Sequence, residues 1–404
     1  MKILSLFDGM ACGMLAMQEA GITVDRYVAY EIDKYAVQTS SHNFPMIEHR
    51  GDVFKADFTE FFGFDFVIGG SPCTFWSIAQ KNNRETEASG MGWELFCQFA
   101  RAVNEVKSKW FIYENNKSMS KAIRKSIDET FGFEAVEINS KLVSAQNRQR
   151  LYWVGRRNAD GTYSKVNVEQ PTDRGILLKD ILESGCEPFT TTADGKSFVV
   201  AATEGRGTNP QLTLTKHRRT MIAEPLCVTE EGKAVALKAQ YWKNNVSNFV
   251  VHQNAYGFKP TGVAEPARVG TYPNNATPCE WDEDGKPIKA ISAADGKTYT
   301  VYEVKDGKIT IKGKTYPIKL KDGFYIIRKL TVRECMRLQT APEWYEFPVS
   351  DTQAYRQLGN GWTVLIIAHL IEATQKENCA PICTWHTGEQ LPGQMSFDEL
   401  VLFA

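Results

Sequence analysis

Between residues 2 and 155, short apolar runs alternate with helical patterns, and each run ends in a polar or glycine-bearing turn. KILSLF (2–7), RYVAYE (26–31), DFVIGG (65–70), KWFIYEN (109–115) and RLYWVG (150–155) read as strands. Apolar runs of this length suit strands that are covered on both faces. Residues 13–20, ended by Gly21, and residues 93–106 carry helical apolar spacing. This alternation predicts an α/β fold, a doubly wound and mostly parallel sheet with helices on both faces. Such sheets bind ligands beyond the carboxyl ends of their strands, so the residues just past each run are the candidates for function.

The pattern changes near residue 185. Residues 190–328 are rich in Gly, Thr, Asn and Lys and have little helical periodicity. Asp295-Gly296, Asp306-Gly307 and Asp322-Gly323 predict hairpin turns. Residues 308–321, KITIKGKTYPIKLK, alternate apolar with basic, as in a half-exposed antiparallel sheet. Helical spacing returns at 331–339 and 363–376. The predicted organisation is a body over 1–185, a smaller β-rich insertion over 186–328, a return to the body over 329–376 and a tail over 377–404. EPLCV (224–228) and EPARV (265–269) are too short an echo to count as a repeat.

The net charge of −1 hides an asymmetry. Residues 206–329 hold 20 Lys+Arg against 12 Asp+Glu, whereas the whole chain holds 47 against 48. Charge alone supports two readings equally, a face for a polyanion and a solvated lysine-rich surface. No apolar run is long enough to span a bilayer, and MKILSLFDG meets an Asp too early for a signal peptide. A cytoplasmic protein without membrane contact is expected. Nine scattered cysteines suggest reduced thiols rather than a disulfide framework.

Beyond the first strand, Phe7 and Asp8 lead into Gly9, with Gly13 four residues later. Glycines there permit a tight turn and a close approach to a ligand. Glu31 ends the next strand, where an acid commonly accepts from the two hydroxyls of a ribose. Asp52 follows a third short run and is suited to an adenine amino group. No Lys-Ser/Thr pair follows Gly9, so this is not a P-loop. The spacing fits a nicotinamide dinucleotide or S-adenosylmethionine. Cys73 follows Pro72 at the next strand end, in GGSPCTFWS, and opens a polar loop. Its residues leave a nucleophile and a structural thiol evenly matched. Glu114, beyond the following strand, is placed for general acid chemistry or for a surface salt bridge. Arg148 and Arg150, two apart, face one way and can hold a carbonyl oxygen and a phosphate.

In order, SLFDGMACG, YEID, GDV, GGSPCTFWS, LFCQFARAV, YENNKS, QNRQRLYWVG, RKLTVRECMRLQ and LGNGWTV resemble the motif series of the cytosine-C5 DNA methyltransferases. The match covers residues 1–185 and 328–376. Four places depart from the family's commoner forms. Asn116 stands for Val, Ser71 for Pro, Thr74-Phe75-Trp76 for Gln-Gly-Phe, and Gly361-Trp362 for Ser-Val. None removes a catalytic side chain.

The resemblance implies a Rossmann-like methyltransferase fold, S-adenosyl-L-methionine as cofactor and double-stranded DNA as partner. It assigns the basic insertion to target recognition. Cys73 would add to C6 of a flipped cytosine, Glu114 would hold N3 and the exocyclic amine, and Arg150 would hold O2. Arg148 would orient the site or a phosphate. Phe7 would stack on the adenine, Gly9 and Met10 would pass under the methionine part, and Glu31 would take the ribose. Asp52 and Val53 would line the adenine. Pro72 and Leu95 would close one side, and Asn360, Gly361 and Trp362 the other. Asp8, Gly13 and Ile32 complete the cofactor set. Ser77, Lys81, Arg84, Lys216, Arg218, Arg219 and the lysine-rich hairpins near 305–321 are the candidate DNA contacts. Residues 74–92 would close on the DNA with Gly90 and Gly92 as hinges. The family mostly acts as monomers. A cognate restriction endonuclease is a candidate partner, and protection of phage DNA is the other role the chemistry serves.

Two other functions compete. The same chemistry could act on tRNA, which the long basic insertion disfavours. A DNA-binding protein that has lost turnover is disfavoured by the intact Cys73, Glu114 and Arg150. In the tail, Cys379, Cys383 and His386 lack a fourth ligand, so no metal site is expected. GQMSFDELVLFA is expected to pack on the body, with a docking peptide as the lesser alternative.

Overall fold

The computed structural model describes residues 1–77, 84–183, 186–200, 202, 210–211, 214, 219–226 and 275–376. A first sheet runs in the order β3 (Glu48–His49), β2 (Arg26–Tyr30), β1 (Lys2–Leu6), β4 (Phe66–Gly69) and β5 (Trp110–Asn116), all parallel. Beyond β5 the direction reverses. β7 (Gln149–Arg157) is antiparallel to β5 on one side and to β6 (Val136–Asn139) on the other. β8 (Tyr163–Lys165) adds to β7. The sheet is therefore mostly parallel, as expected, and its exception falls at the strand that carries Arg150.

Consecutive apolar residues face opposite ways along these strands. Ile3, Ile68, Ile112, Tyr152 and Val154 enter one core. Leu4, Val67, Phe111, Tyr113, Leu151 and Trp153 enter the other. The first core is closed by α1 (Cys12–Glu19) and α7 (Val364–Lys376), which pack together from opposite ends of the chain. The second is closed by α3 (Gly90–Val106) and α4 (Lys121–Phe131) through Phe96, Phe99, Val103, Ile123, Ile127 and Phe131. Their spacing of three and four along each helix puts these side chains on one face. Full burial of each contributes roughly 1.5–3 kcal/mol.

A second, antiparallel sheet runs in the order β11 (Thr277–Trp281), β12 (Pro287–Ile291), β13 (Thr298–Lys305), β16 (Gly323–Lys329), β10 (Met221–Pro225) and β9 (Glu187–Thr190). The hairpin β14 (Lys308–Ile311) and β15 (Lys314–Pro317) extends it from β13. Asp306-Gly307 is a two-residue turn with both φ angles positive, at 51° and 64°, as a tight hairpin requires. Asp322-Gly323 is not a hairpin turn. That place belongs to Lys312-Gly313, with φ of 51° and 74° between Ile311 and Lys314. Asp322 instead braces the neighbouring turn, its carboxylate accepting from the Asp306 and Gly307 amides at 3.1 and 3.4 Å. Asp295-Gly296 lies in the longer connection between β12 and β13.

The second sheet is joined to the last helices by a buried ion triad. Arg328, on β16, donates to Glu224 on β10 at 3.0 Å and bidentately to Glu334 at 2.8 and 2.9 Å. All three side chains are inaccessible to solvent. Burial works against the guanidinium charge, but its bonds to the carboxylates win and its pKa is raised. Glu334 also completes a capping box with Thr331 at the start of α5 (Val332–Leu338). Glu224 accepts in addition from Ser292 and the Ala293 amide. Arg328→Met would leave two buried carboxylates without a cation. The expected loss is about 3–5 kcal/mol of unfolding free energy by urea denaturation. A loss below about 1 kcal/mol would mean that water compensates the triad.

Candidate active site

The carboxyl ends of β1, β2, β4 and β5 converge with the loop after α6 (Asp351–Asn360). Phe7, Gly9 and Ala11 all have positive φ, near 60°, so the chain leaves β1 in a succession of left-handed steps. Only Gly9 adopts this without strain, and a Cβ added there would meet nothing within 4 Å. Its amide donates to Glu31 Oε2 at 2.8 Å, so the glycine turn and the β2 acid form one unit. The Ile32 and Asp33 amides donate to Glu31 Oε1. Beside them Ile32 is 77% exposed and Phe7 half-buried. Open space over a glycine, two accessible apolar side chains and a fixed carboxylate suit an adenosine moiety, with apolar surface for the purine and acceptors for the ribose diol. Asp52 caps a short turn through the Phe54 amide, and Val53 points into the core, which leaves only its backbone for a ligand. Pro72 is exposed and Leu95 half-buried.

Gly13 does not face this space. A Cβ there would fall 2.4 Å from Ile68 Cδ1 and 2.5 Å from the Tyr27 hydroxyl, so its role is close packing of α1 on the sheet. Met10 is buried, its carbonyl accepts from Tyr345, and its sulfur lies near Gly361.

Cys73, half-buried, opens a single 3-10 turn after Pro72. Its carbonyl accepts from the Trp76 and Ser77 amides and from Asn116 Nδ2 at 3.4 Å. Asn115 Nδ2 reaches the Ser71 carbonyl at 3.1 Å, and Ser71 Oγ pairs with the Tyr113 hydroxyl at 2.7 Å. The end of β5 therefore holds the cysteine loop through side-chain amides.

Glu114 is the centre of the site. Arg150 Nε lies 3.0 Å from its Oε1, and Trp362 Nε1 donates to its Oε2 at 3.0 Å. The sheet register makes this possible, because Glu114 pairs with Tyr152 and Asn116 with Arg150, which sets all four on one face. Arg148 is buried and does not reach a surface. It donates to the Gly359 and Gly361 carbonyls, at 3.2 and 2.9 Å, and to Val200. Burial, followed by repulsion from Arg150, lowers its pKa to about 10. The expected phosphate contact at Arg148 is thus replaced by a clamp on the loop that carries Trp362. Asn360, the last residue of α6, is exposed.

Two further expectations change. Arg84 donates to the Trp76 and Ser118 carbonyls, so it ties the cysteine loop to the end of β5 rather than presenting its charge to a partner. Gly92 is packed, not a hinge. A Cβ there would meet Trp76 Nε1 and Glu85 Oε2, both at 2.6 Å. Gly90 retains a positive φ of 81°. Ser77 follows the cysteine turn, and Arg219 precedes β10 with its carbonyl accepting from Thr190. Lys81, Lys216, Arg218 and the tail residues Cys379, Cys383 and His386 lie outside the described residues. Among the described residues, no three His, Cys, Asp or Glu side chains are grouped to hold a metal, and no helix is long and apolar enough to cross a membrane.

A family model for C-5 cytosine-specific DNA methylases matches residues 1–376. The chain belongs to this family. It is 23% identical to the orphan methyltransferase M.SPRI of Bacillus phage SPR, over 92% of this chain and 97% of that one. It is 27% identical to the type II methyltransferase M1.ScrFI of Lactococcus lactis subsp. cremoris, over 92% of this chain and 77% of that one. To the type II methyltransferase M.HpaII of Haemophilus parainfluenzae it is 26% identical, over 93% and 88%.

In this methylase several departures from the common motifs have a structural use. Ser71 and Asn116 hold the cysteine loop. Trp76 is fully buried and donates to Glu85, which also accepts from the Gly92 amide at the start of α3. Asp8, beneath the glycine turn, is buried and accepts from Ser5 and Tyr27, while its Oδ2 has no protein partner. Burial raises its pKa to about 6, against the lowering effect of those bonds. A raised acid pKa gives stability that is complete below the unfolded value of 3.8 and lost as the pH rises through about 6. Asp8→Asn removes this dependence. Its unfolding free energy should therefore gain on the unaltered protein between pH ~4 and ~6 and level off above, by about 3 kcal/mol in total. Urea denaturation across this range checks it, and a gap that does not change with pH would mean that burial does not raise the Asp8 pKa.

Proposed function

We propose that this methylase transfers a methyl group from S-adenosyl-L-methionine to C5 of a cytosine within a specific duplex DNA sequence. The observation that carries the reading is the Glu114 carboxylate, fixed by Arg150 and Trp362 at the same strand ends as the Cys73 turn. Cytosine C5 is a weak nucleophile while the ring is aromatic. Addition of the Cys73 thiolate to C6 forms an S–C bond and moves the ring electrons toward C5 and N3. Glu114 accepts from the exocyclic amine and shares a proton with N3, so that the charge developing on N3 is neutralised, and Arg150 is assigned to O2. S-adenosylmethionine, when bound, supplies an electrophilic methyl on its sulfonium. Glu31 would hold its ribose, Phe7 and Ile32 its adenine with Asp52 and the Val53 backbone, and Gly9, Met10, Asn360 and Gly361 its methionine end. Loss of the C5 proton then returns the electrons that expel the thiolate.

A stacked base cannot reach such a site, so the target nucleotide has to leave the duplex. The second sheet is our candidate for target recognition. Lys305, Lys308, Lys312, Lys314, Lys319 and Lys321 are all exposed on or beside its hairpins, and none forms an ion pair among the described residues. Unpaired lysines on one edge suit phosphates. The type II and phage names of the relatives support a role in marking a host genome or a phage genome against restriction.

The decisive test is a covalent trap. Unaltered protein, S-adenosylmethionine and random-sequence duplex DNA containing 5-fluorocytosine should give a band stable to denaturation, absent with Cys73→Ser. A trap on tRNA but not on DNA would move the substrate to RNA. For the second sheet, Lys312→Ala combined with Lys314→Ala should flatten the slope of log affinity against log salt by about 2. An unchanged slope would remove this hairpin from the DNA interface.

A further inference from the structure

We infer that Trp362 is a positioning residue for the target base, acting through Glu114. The inference rests on the reading of the preceding section, in which Glu114 receives the cytosine. The last torsion of a glutamate side chain is soft, so a carboxylate at the end of a strand samples many orientations unless donors fix it. Here Trp362 donates to Oε2 at 3.0 Å, while Arg150 holds Oε1 in an ion pair at the same distance. The indole N–H only donates, so the pair cannot invert its polarity. Oε2 then has a remaining lone pair in a site that is nearly closed, since the Glu114 side chain is 12% exposed. That lone pair calls for a donor. Cytosine offers its exocyclic amine, whereas thymine and uracil offer a carbonyl oxygen at the same ring position.

Two features show that the contact is built in. Gly70 lies against it, and a Cβ there would sit 2.9 Å from Glu114 Oε2 and 3.2 Å from Trp362 Nε1. On the other side, Arg148 holds the Gly361 carbonyl at 2.9 Å, immediately before Trp362 in the chain. Valine, the commoner residue at this motif position, has no side-chain donor.

The test is a double-mutant cycle on the rate of 5-fluorocytosine trapping, at saturating DNA and S-adenosylmethionine. Trp362→Phe keeps an aromatic ring and removes the N–H. It should slow trapping about tenfold on its own and by less than about twofold in a Glu114→Gln background. It should also narrow the preference for 5-fluorocytosine over 5-fluorouracil DNA about tenfold. Should the Phe variant fail to fold, Trp362→His, which keeps a ring donor, is compared with Trp362→Leu, and the His variant should trap faster. Equal rates for the donor and non-donor variants, or the same slowing with and without Glu114→Gln, would overturn the inference. Absence of trapping by the unaltered protein would overturn the functional reading as well.

Discussion

The active site depends on a guanidinium that never reaches water. Arg148 is 3% exposed, and three carbonyls accept from it, two of them more than 200 residues further along the chain. Its removal would leave the buried Val200 carbonyl without this donor, at about 1–3 kcal/mol, and free the Gly359 carbonyl. The same segment is held by the Gly361 amide donating to the Gln357 carbonyl at 2.7 Å, by Gln339 Nε2 reaching the Gly361 carbonyl at 3.5 Å and by the Trp362 bond to Glu114. From this clamp the order passes outward, to Trp362, then to the Glu114 carboxylate, then to Arg150. Chemistry at the end of β5 is thus conditioned by a segment that joins the body last.

The parallel sheet explains why the remaining parts meet. Each strand delivers one polar residue to the same edge, Gly9 after β1, Glu31 after β2, Cys73 after β4 and Glu114 near the end of β5. The reversed strand β7 brings Arg150 to that edge from the opposite direction. A parallel neighbour would have started at the far edge, and Arg150 would have been remote from Glu114.

Much of this was legible in the residues. Continuous apolar runs gave five of the eight strands of the first sheet, and the motif order pointed to the family. Gly9 and Glu31 were each singled out by the rule that ligands gather at strand ends, whereas their bond to one another was not. Other features were not legible, for physical reasons. Arginine is written the same way whether it faces a phosphate or a buried carbonyl, and nothing near Arg148 or Arg84 says which of them loses its water. Asp-Gly marks a backbone that can turn, not one that must pair its flanks, so Asp322-Gly323 looked like the hairpin that Lys312-Gly313 makes. Gly13 and Gly92 looked functional because glycine serves close packing and ligand approach equally well. Trp362 was read with its motif neighbours as part of the cofactor wall, and its bond to Glu114 depends on a sequence separation of 248 residues.

The Arg328 triad bears on how such a chain can diversify. The two carboxylates it neutralises come from different places, Glu224 from β10 within the basic region and Glu334 from the capping box of α5. A recombination event that replaced the stretch between β9 and β16 would have to bring its own carboxylate to the position of Glu224, or else bury a mismatched charge. The electrostatics therefore set the viable crossover points. β10, β16 and the Thr331–Glu334 cap are thus tied to one another through a single buried charge.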